Sequence, residues 1–265
     1  MPNLALGLAA FVLYALAGWL LGRRARDSEQ ADRQYWLLPA LAALALHAAL
    51  HALSWQQAGG ADLRFFPALS LVGLGMAALT TGFGPAQRIE SLGIVVFPLA
   101  GLVLLPAALS PGHAPETLSW PLQLHAALAL LAYATLAIAT LLALMLWLQD
   151  RALRRHQFGG WLRLLPPLTQ LESLMFRSLG AAFVLLGLAL LTGVLFVADL
   201  FAQHLVHKTV LSILSWTVLA ILLFGRWRWG WRGPRAVKLT LLAMLLLLLA
   251  FFGSKFVLEL VLRRG

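Results

Sequence analysis

The chain has 265 residues, of which 61% are hydrophobic and 11% charged. A soluble domain carries about 25% charged and 45–50% apolar residues, so this composition excludes both a soluble globular domain and a disordered chain. Twenty Lys and Arg against ten Asp and Glu give a net charge of +10, which in so apolar a chain is read first as a topology signal rather than a nucleic-acid footprint, and the lack of cysteine excludes disulfides, thiolate redox chemistry, Cys-ligated metal and thioether attachment of a cofactor.

A helix needs about 20 apolar residues to cross the hydrocarbon core of a bilayer. Eight runs approach or exceed that length: residues 4–21, 35–54, 65–82, 91–109, 121–148, 178–198, 207–224 and 237–261. They are apolar on every face, whereas barrel strands would alternate in polarity over about ten residues. The expected fold class is therefore all-α, a polytopic membrane protein of about eight transmembrane helices making a single integral membrane domain over 1–265. The run 4–21 has no basic side chain before it and Arg23 and Arg24 after it. That is the flank of a retained span with its N-terminus outside, not of a signal peptide. Within the eight runs the charged residues are Lys208, Lys238, Lys255 and Glu259, all near span ends, where long side chains reach the interface.

The connections set the orientation. Segments 22–34, 83–90, 149–177 and 225–238 hold fifteen Lys and Arg; on the alternate side there are two, Arg64 in 55–64 and Lys208 just after 199–206. The positive-inside rule puts the basic segments in the cytoplasm, the poor ones in the periplasm or exterior, and both termini outside. Arg263 and Arg264 at the C-terminus are too few to reverse this. Trp36, Trp55, Trp120 and Trp147 fall at span ends, as an aromatic belt requires. Residues 156–177 carry Pro166–Pro167 and then Leu168, Leu171, Leu174 and Met175 on one face, which reads as a short amphipathic helix on the cytoplasmic surface. Trp227, Trp229 and Trp231 alternate with Arg226, Arg228 and Arg232 in a cytoplasmic loop that reads as interfacial anchoring, with an anionic ligand or lipid headgroup as the functional alternative.

Imidazole is the strongest ligand type available. His156 lies in a cytoplasmic loop. His47, His51, His113, His125, His204 and His207 all fall in the outer half of the membrane or outside it. His47 and His51 are four apart and share a helix face. His125 opens the fifth span, and His204 and His207 lie at the outer start of the seventh. Polar groups within spans are costly and so are functional candidates. Such a cluster could supply axial bonds to a haem iron, bind zinc, relay protons or gate a transporter, or be separate histidines bonded to carbonyls and water. Asp199 could orient an imidazole or simply mark a span end. Lys255 and Glu259, also four apart, could pair within the bundle or reach separately for the headgroups. Gly-rich phosphate loops and nucleophile motifs are absent.

Four stretches carry a family resemblance. They are Leu124–His125 running to Tyr133, Leu168 to Arg177, Leu190–Leu191–Thr192–Gly193, and Gly230–Trp231–Arg232–Gly233–Pro234–Arg235 followed by Phe251–Phe252–Gly253. In order and spacing they resemble the cytochrome c assembly family of haem-handling membrane proteins (the CcmC and CcsA type), in its shorter eight-span YpjD- and HemX-like branch, over residues 119–262. The family's histidine at the start of the long span matches His125. Its external platform, rich in Trp and carrying Pro-Lys-Glu, corresponds to Ala198–Thr209, where only Lys208 and the following Ser212, Ser215 and Trp216 keep the outline.

The resemblance implies non-covalent haem b bound by His125, in cytochrome maturation, without bond-making chemistry by the chain's own residues. His207, then His204, His47 or His51, is the expected second ligand; that choice is an inference from placement. No metal is expected beyond haem iron held by His125 and His207. The implied partners are the lipid bilayer, haem and cytochrome-maturation or other membrane proteins, and not nucleic acid. A regulator or scaffold that keeps the fold without haem, for example in tetrapyrrole synthesis, is the alternative. A small-molecule or ion transporter is less favoured, because inverted repeats and mid-membrane acidic residues are lacking.

Overall fold

The computed structural model describes residues 2–24, 35–60, 62–87, 90–110, 118–156, 165–196 and 206–262. Among the described residues there are no strands. The helices are α1 (Pro2–Arg24), α2 (Leu37–Ala58), α3 (Phe65–Gln87), α4 (Glu90–Leu109), α5 (Trp120–Arg154), α6 (Leu168–Phe196), α7 (Val206–Trp229) and α8 (Pro234–Leu248). All eight are long and apolar enough to span a bilayer, α8 together with its continuation to Gly253. α8 continues through wide π-type turns at Leu249–Gly253 and Phe256–Val261.

The helices gather into two compact units, α1 to α4 and α5 to α8. In the first, α4 packs along α1 and α3. Glycines permit the close approach: a Cβ on Gly101 would lie 2.9 Å from the Phe11 ring, and one on Gly73 would lie 2.6 Å from Val103. Lipid is as apolar as leucine, so helices in a membrane associate through such close packing rather than by burying apolar area. The core is Tyr14, Trp36, Phe97 and the small residues around them. Trp36 thereby departs from the expected aromatic belt. It is only 3% exposed and tilts against Phe97 at 5.8 Å, whereas Trp55, Trp120 and Trp147 stay exposed at their span ends.

In the second unit α5 is central, with 61% of its apolar window buried against 22% for α7. It packs against α6 and α8, and α7 lies against α6 and α8. The expected short amphipathic helix is not a separate element. Residues 168–177 are the first turns of the continuous α6, which starts just after Pro166–Pro167. No proline interrupts the chain from Leu168 to Phe196, and the face of Leu171, Leu174 and Met175 is buried protein core rather than lying on a surface. The expected Trp/Arg loop is also partly helical. Arg226 to Trp229 form the last turn of α7, and Gly230 and Gly233, with φ of 66° and 57°, make the turn into α8.

Candidate functional site

The histidines divide between the units. His47 and His51 lie on α2; His125 lies on α5 and His207 in the first turn of α7. His113, His204 and Asp199 lie outside the described residues.

In the first unit His47 and His51 do come together, their rings stacked at 5.4 Å. Ser70 of α3 joins them: its Oγ lies 2.9 Å from His47 Nε2 and 3.0 Å from His51 Nε2. A serine hydroxyl has one proton and two lone pairs, so at most one of the two imidazoles accepts from it and at least one donates to it. The far nitrogen of His47, Nδ1, meets the Tyr14 hydroxyl at 3.3 Å. His47 and Ser70 are fully buried. Both ring nitrogens of His47 are thus engaged, and three helices are tied together by a chain running Tyr14, His47, Ser70, His51. Such a network satisfies polar groups that hydrocarbon would otherwise leave unpaired. Tyr14 and Ser70 are not among the residues that spacing pointed to; the signal available was that each is a polar residue inside a span.

In the second unit His125 faces α6. Its Nδ1 lies 2.9 Å from the Ala189 carbonyl oxygen and 3.3 Å from Thr192 Oγ1. A carbonyl only accepts, so Nδ1 carries the proton and Nε2 of the neutral ring carries the lone pair. This is the arrangement by which metal-binding histidines are held, one nitrogen donating to a carbonyl and the other presented to the metal. The ring fits because residue 193 is glycine: a Cβ there would stand 3.1 Å from His125 Cε1.

His125 lies on the wall of a cavity of about 490 Å³. Leu186, Leu190, Ile213, Leu247 and Phe251 make much of its wall apolar, and Lys208 and Ser212 bring polar groups. Its size and its apolar wall with few polar groups are those of a small-molecule or cofactor site. Trp216 closes part of the α6–α7 seam. It stacks on Phe183 at 4.8 Å, donates its Nε1 proton to the Phe183 carbonyl at 3.2 Å, and sits where a Cβ on Gly187 would be 3.0 Å away. On the α8 side the Tyr133 hydroxyl donates to the Leu247 carbonyl, next to the start of the π-type turns. Wide turns of this kind recur at functional sites in α-helices. Lys255 and Glu259 pair at 3.0 Å, as one of the two readings of their spacing had it, and act electrostatically on Lys208.

His207 is exposed and does not line this cavity; its neighbour Lys208 does. Among the described residues no three His, Asp or Glu side chains are grouped to hold a metal ion by themselves. Lys208, Thr192 and Trp216 stand in stretches that carried the family resemblance but were not named as cofactor-binding residues by sequence. The contribution of Thr192 depends on its contact with a histidine 67 residues away.

The family profile described as Cytochrome C assembly protein matches residues 35–262, and so reaches well into the first unit. The chain is 33% identical to the Inner membrane protein YpjD of Escherichia coli over 260 residues, covering 96% of this chain and 98% of that protein. It is 27% identical to the Cytochrome c biogenesis protein CcsA of Prochlorococcus marinus over 296 residues, 95% and 90% of the two chains. Protein HemX of Brevibacillus brevis matches over 133 residues at 30% identity, about half of each chain.

Proposed function

The chain belongs to the cytochrome c assembly protein family, and from that premise we propose that it is a haem-handling protein of the bacterial inner membrane which binds haem b non-covalently in the α5–α8 cavity. The observation that carries this reading is the 2.9 Å bond from His125 Nδ1 to the Ala189 carbonyl, which in the neutral ring turns the lone pair to Nε2, on a ring that lines an apolar cavity. When bound, haem supplies an iron that takes axial nitrogen ligands and a porphyrin that packs on apolar walls. The chain's residues suit it. His125 offers an oriented imidazole, Leu186, Leu190, Ile213 and Phe251 exclude water, and Lys208 offers a cation for a propionate. His207 is our first choice for a second ligand because it adjoins Lys208, followed by His204. His47 is the weakest choice, since both its nitrogens are engaged. The chain acts without bond-making chemistry of its own, within cytochrome maturation and alongside membrane-protein partners.

Hemin titration of the detergent-purified protein tests this. A Soret band that saturates with added hemin, and is lost in His125→Ala, is the expected result. Protein with no Soret absorbance before or after hemin refutes the reading. In His207→Ala the band is expected to remain but shift from a six-coordinate to a five-coordinate spectrum.

One observation favours a second reading, a scaffold or regulator that keeps the fold without haem: residues 198–209 lack both tryptophan and Pro-Lys-Glu. Stable co-purification of a partner protein with no haem would favour it.

A further inference from the structure

A second cavity, of about 390 Å³, opens at the other end of the α5–α8 unit, the end that the positive-inside rule places in the cytoplasm. Thr169, Glu172, Ser173 and Arg177 come from the start of α6, Arg226 from the last turn of α7, and Arg232 from the turn into α8. Three guanidinium groups therefore share the site with one carboxylate. Glu172 holds two of them: its Oε1 accepts from Arg226 Nη1 at 2.7 Å and lies 3.4 Å from Arg232 Nε. The Arg226 guanidinium also lies over the Phe176 ring at 4.6 Å, which fixes its plane. Trp231 supports the same corner. Its ring packs where a Cβ on Gly225 would be, and its carbonyl faces Arg226 Nη1 at 3.5 Å.

Glu172 alone faces both Arg226 and Arg232, so that trio keeps one positive charge in excess, with the hydroxyls of Thr169 and Ser173 on the cavity wall. Planar guanidinium forks with nearby hydroxyls match the tetrahedral oxygens of a phosphate. Small neutral or cationic ligands have no reason to prefer such a site. We propose that this cavity binds a phosphate group, through Arg177, Arg226 and Arg232 with Thr169 and Ser173, and that Glu172 positions the arginines. The group can reach it from an anionic phospholipid headgroup or from a soluble phosphate ester. Exposed Trp227 and Trp229, in the same last turn of α7 as Arg226, and exposed Phe224 and Ile221 one and two turns deeper on α7, favour the lipid. They offer an interfacial belt and an apolar track for an acyl chain.

The test uses full-length protein in nanodiscs and in detergent. In the first arm, native mass spectrometry follows retention of added phosphatidylglycerol against phosphatidylcholine. In the second, inorganic phosphate is titrated against tryptophan fluorescence. The expected result is selective retention of phosphatidylglycerol, weakened about tenfold in Arg232→Gln. Arg232 is two-thirds exposed and its removal leaves the Arg226–Glu172 pair in place, so the variant should fold. Arg155→Gln, an exposed arginine outside the cavity, controls for bulk charge and should retain lipid as the parent does. Saturable phosphate binding that is lost in Arg232→Gln, with no lipid preference, assigns the site to a soluble ester. Equal retention of both lipids together with no phosphate response, or equal losses in the two variants, overturns the proposal.

Discussion

His47 and His125 both stand in apolar helices, and each is tied to other helices of its own unit. They differ in what is left over. His47 has Tyr14 on one nitrogen and Ser70 on the other, and the side chain is fully buried. His125 has Nδ1 shared between the Ala189 carbonyl and Thr192, and its ring forms part of a cavity wall. An imidazole with both nitrogens engaged by protein holds helices together, while one held by a single nitrogen in an open site can take a ligand. Burial of an intramembrane histidine therefore says little about function until the partner of each nitrogen is known.

The largest expected effect separates the two directly. His125→Ala should abolish hemin binding by the purified protein while leaving the unfolding midpoint nearly unchanged, because the ring lies against a cavity rather than in packed core. His47→Ala should do the reverse. It removes a fully buried side chain and two hydrogen bonds, costing about 2–4 kcal/mol of stability. Thermal unfolding followed together with the Soret band reads both. If His47→Ala also removed the band without unfolding the protein, the contrast between the two histidines would fail.

Gly193→Ala should sharpen the contrast with effects of opposite sign. Alanine for glycine inside a helix stabilises it by about 0.5–1 kcal/mol. The added Cβ would stand 3.1 Å from His125 Cε1, so the ring must move away from its carbonyl partner. The expected outcome is an unchanged or raised unfolding midpoint with hemin affinity lowered about tenfold. A lowered midpoint would instead mean that Gly193 serves packing alone.

What could be read from the chain follows from the same physics. The eight spans are legible because hydrocarbon demands about 20 apolar residues, and each run reappears as a helix. Their ends are less legible. α5 continues through the largely polar segment Gln149 to Arg154, and α6 begins at Leu168, ten residues before its apolar run, because backbone hydrogen bonding does not stop at the hydrocarbon edge. His125 was visible as a residue at the start of a span. Its tautomer was not, because that depends on a carbonyl 64 residues away. The joining of His47 and His51 was visible from their spacing of four, whereas Ser70 between them depends on how α3 packs against α2. Lys208 could be placed at an interface by sequence, but only the packing of α5, α6, α7 and α8 makes it part of a cavity wall.

The smallest effect is expected at Thr192, and it tests how His125 is held. Thr192 Oγ1 is the more distant of the two acceptors at Nδ1, 3.3 Å against 2.9 Å for the Ala189 carbonyl. Thr192→Val keeps the shape and removes the hydroxyl, leaving the stronger bond in place. Loss of a partner around a metal-binding histidine typically weakens metal affinity 10–100-fold. Here the carbonyl alone still fixes the proton on Nδ1 and the lone pair on Nε2, so hemin affinity should fall only about two- to threefold. The Soret maximum should not move. A tenfold loss would show that the hydroxyl, rather than the carbonyl, sets the ring's orientation, and the claim that the backbone of α6 presents this imidazole would have to be given up.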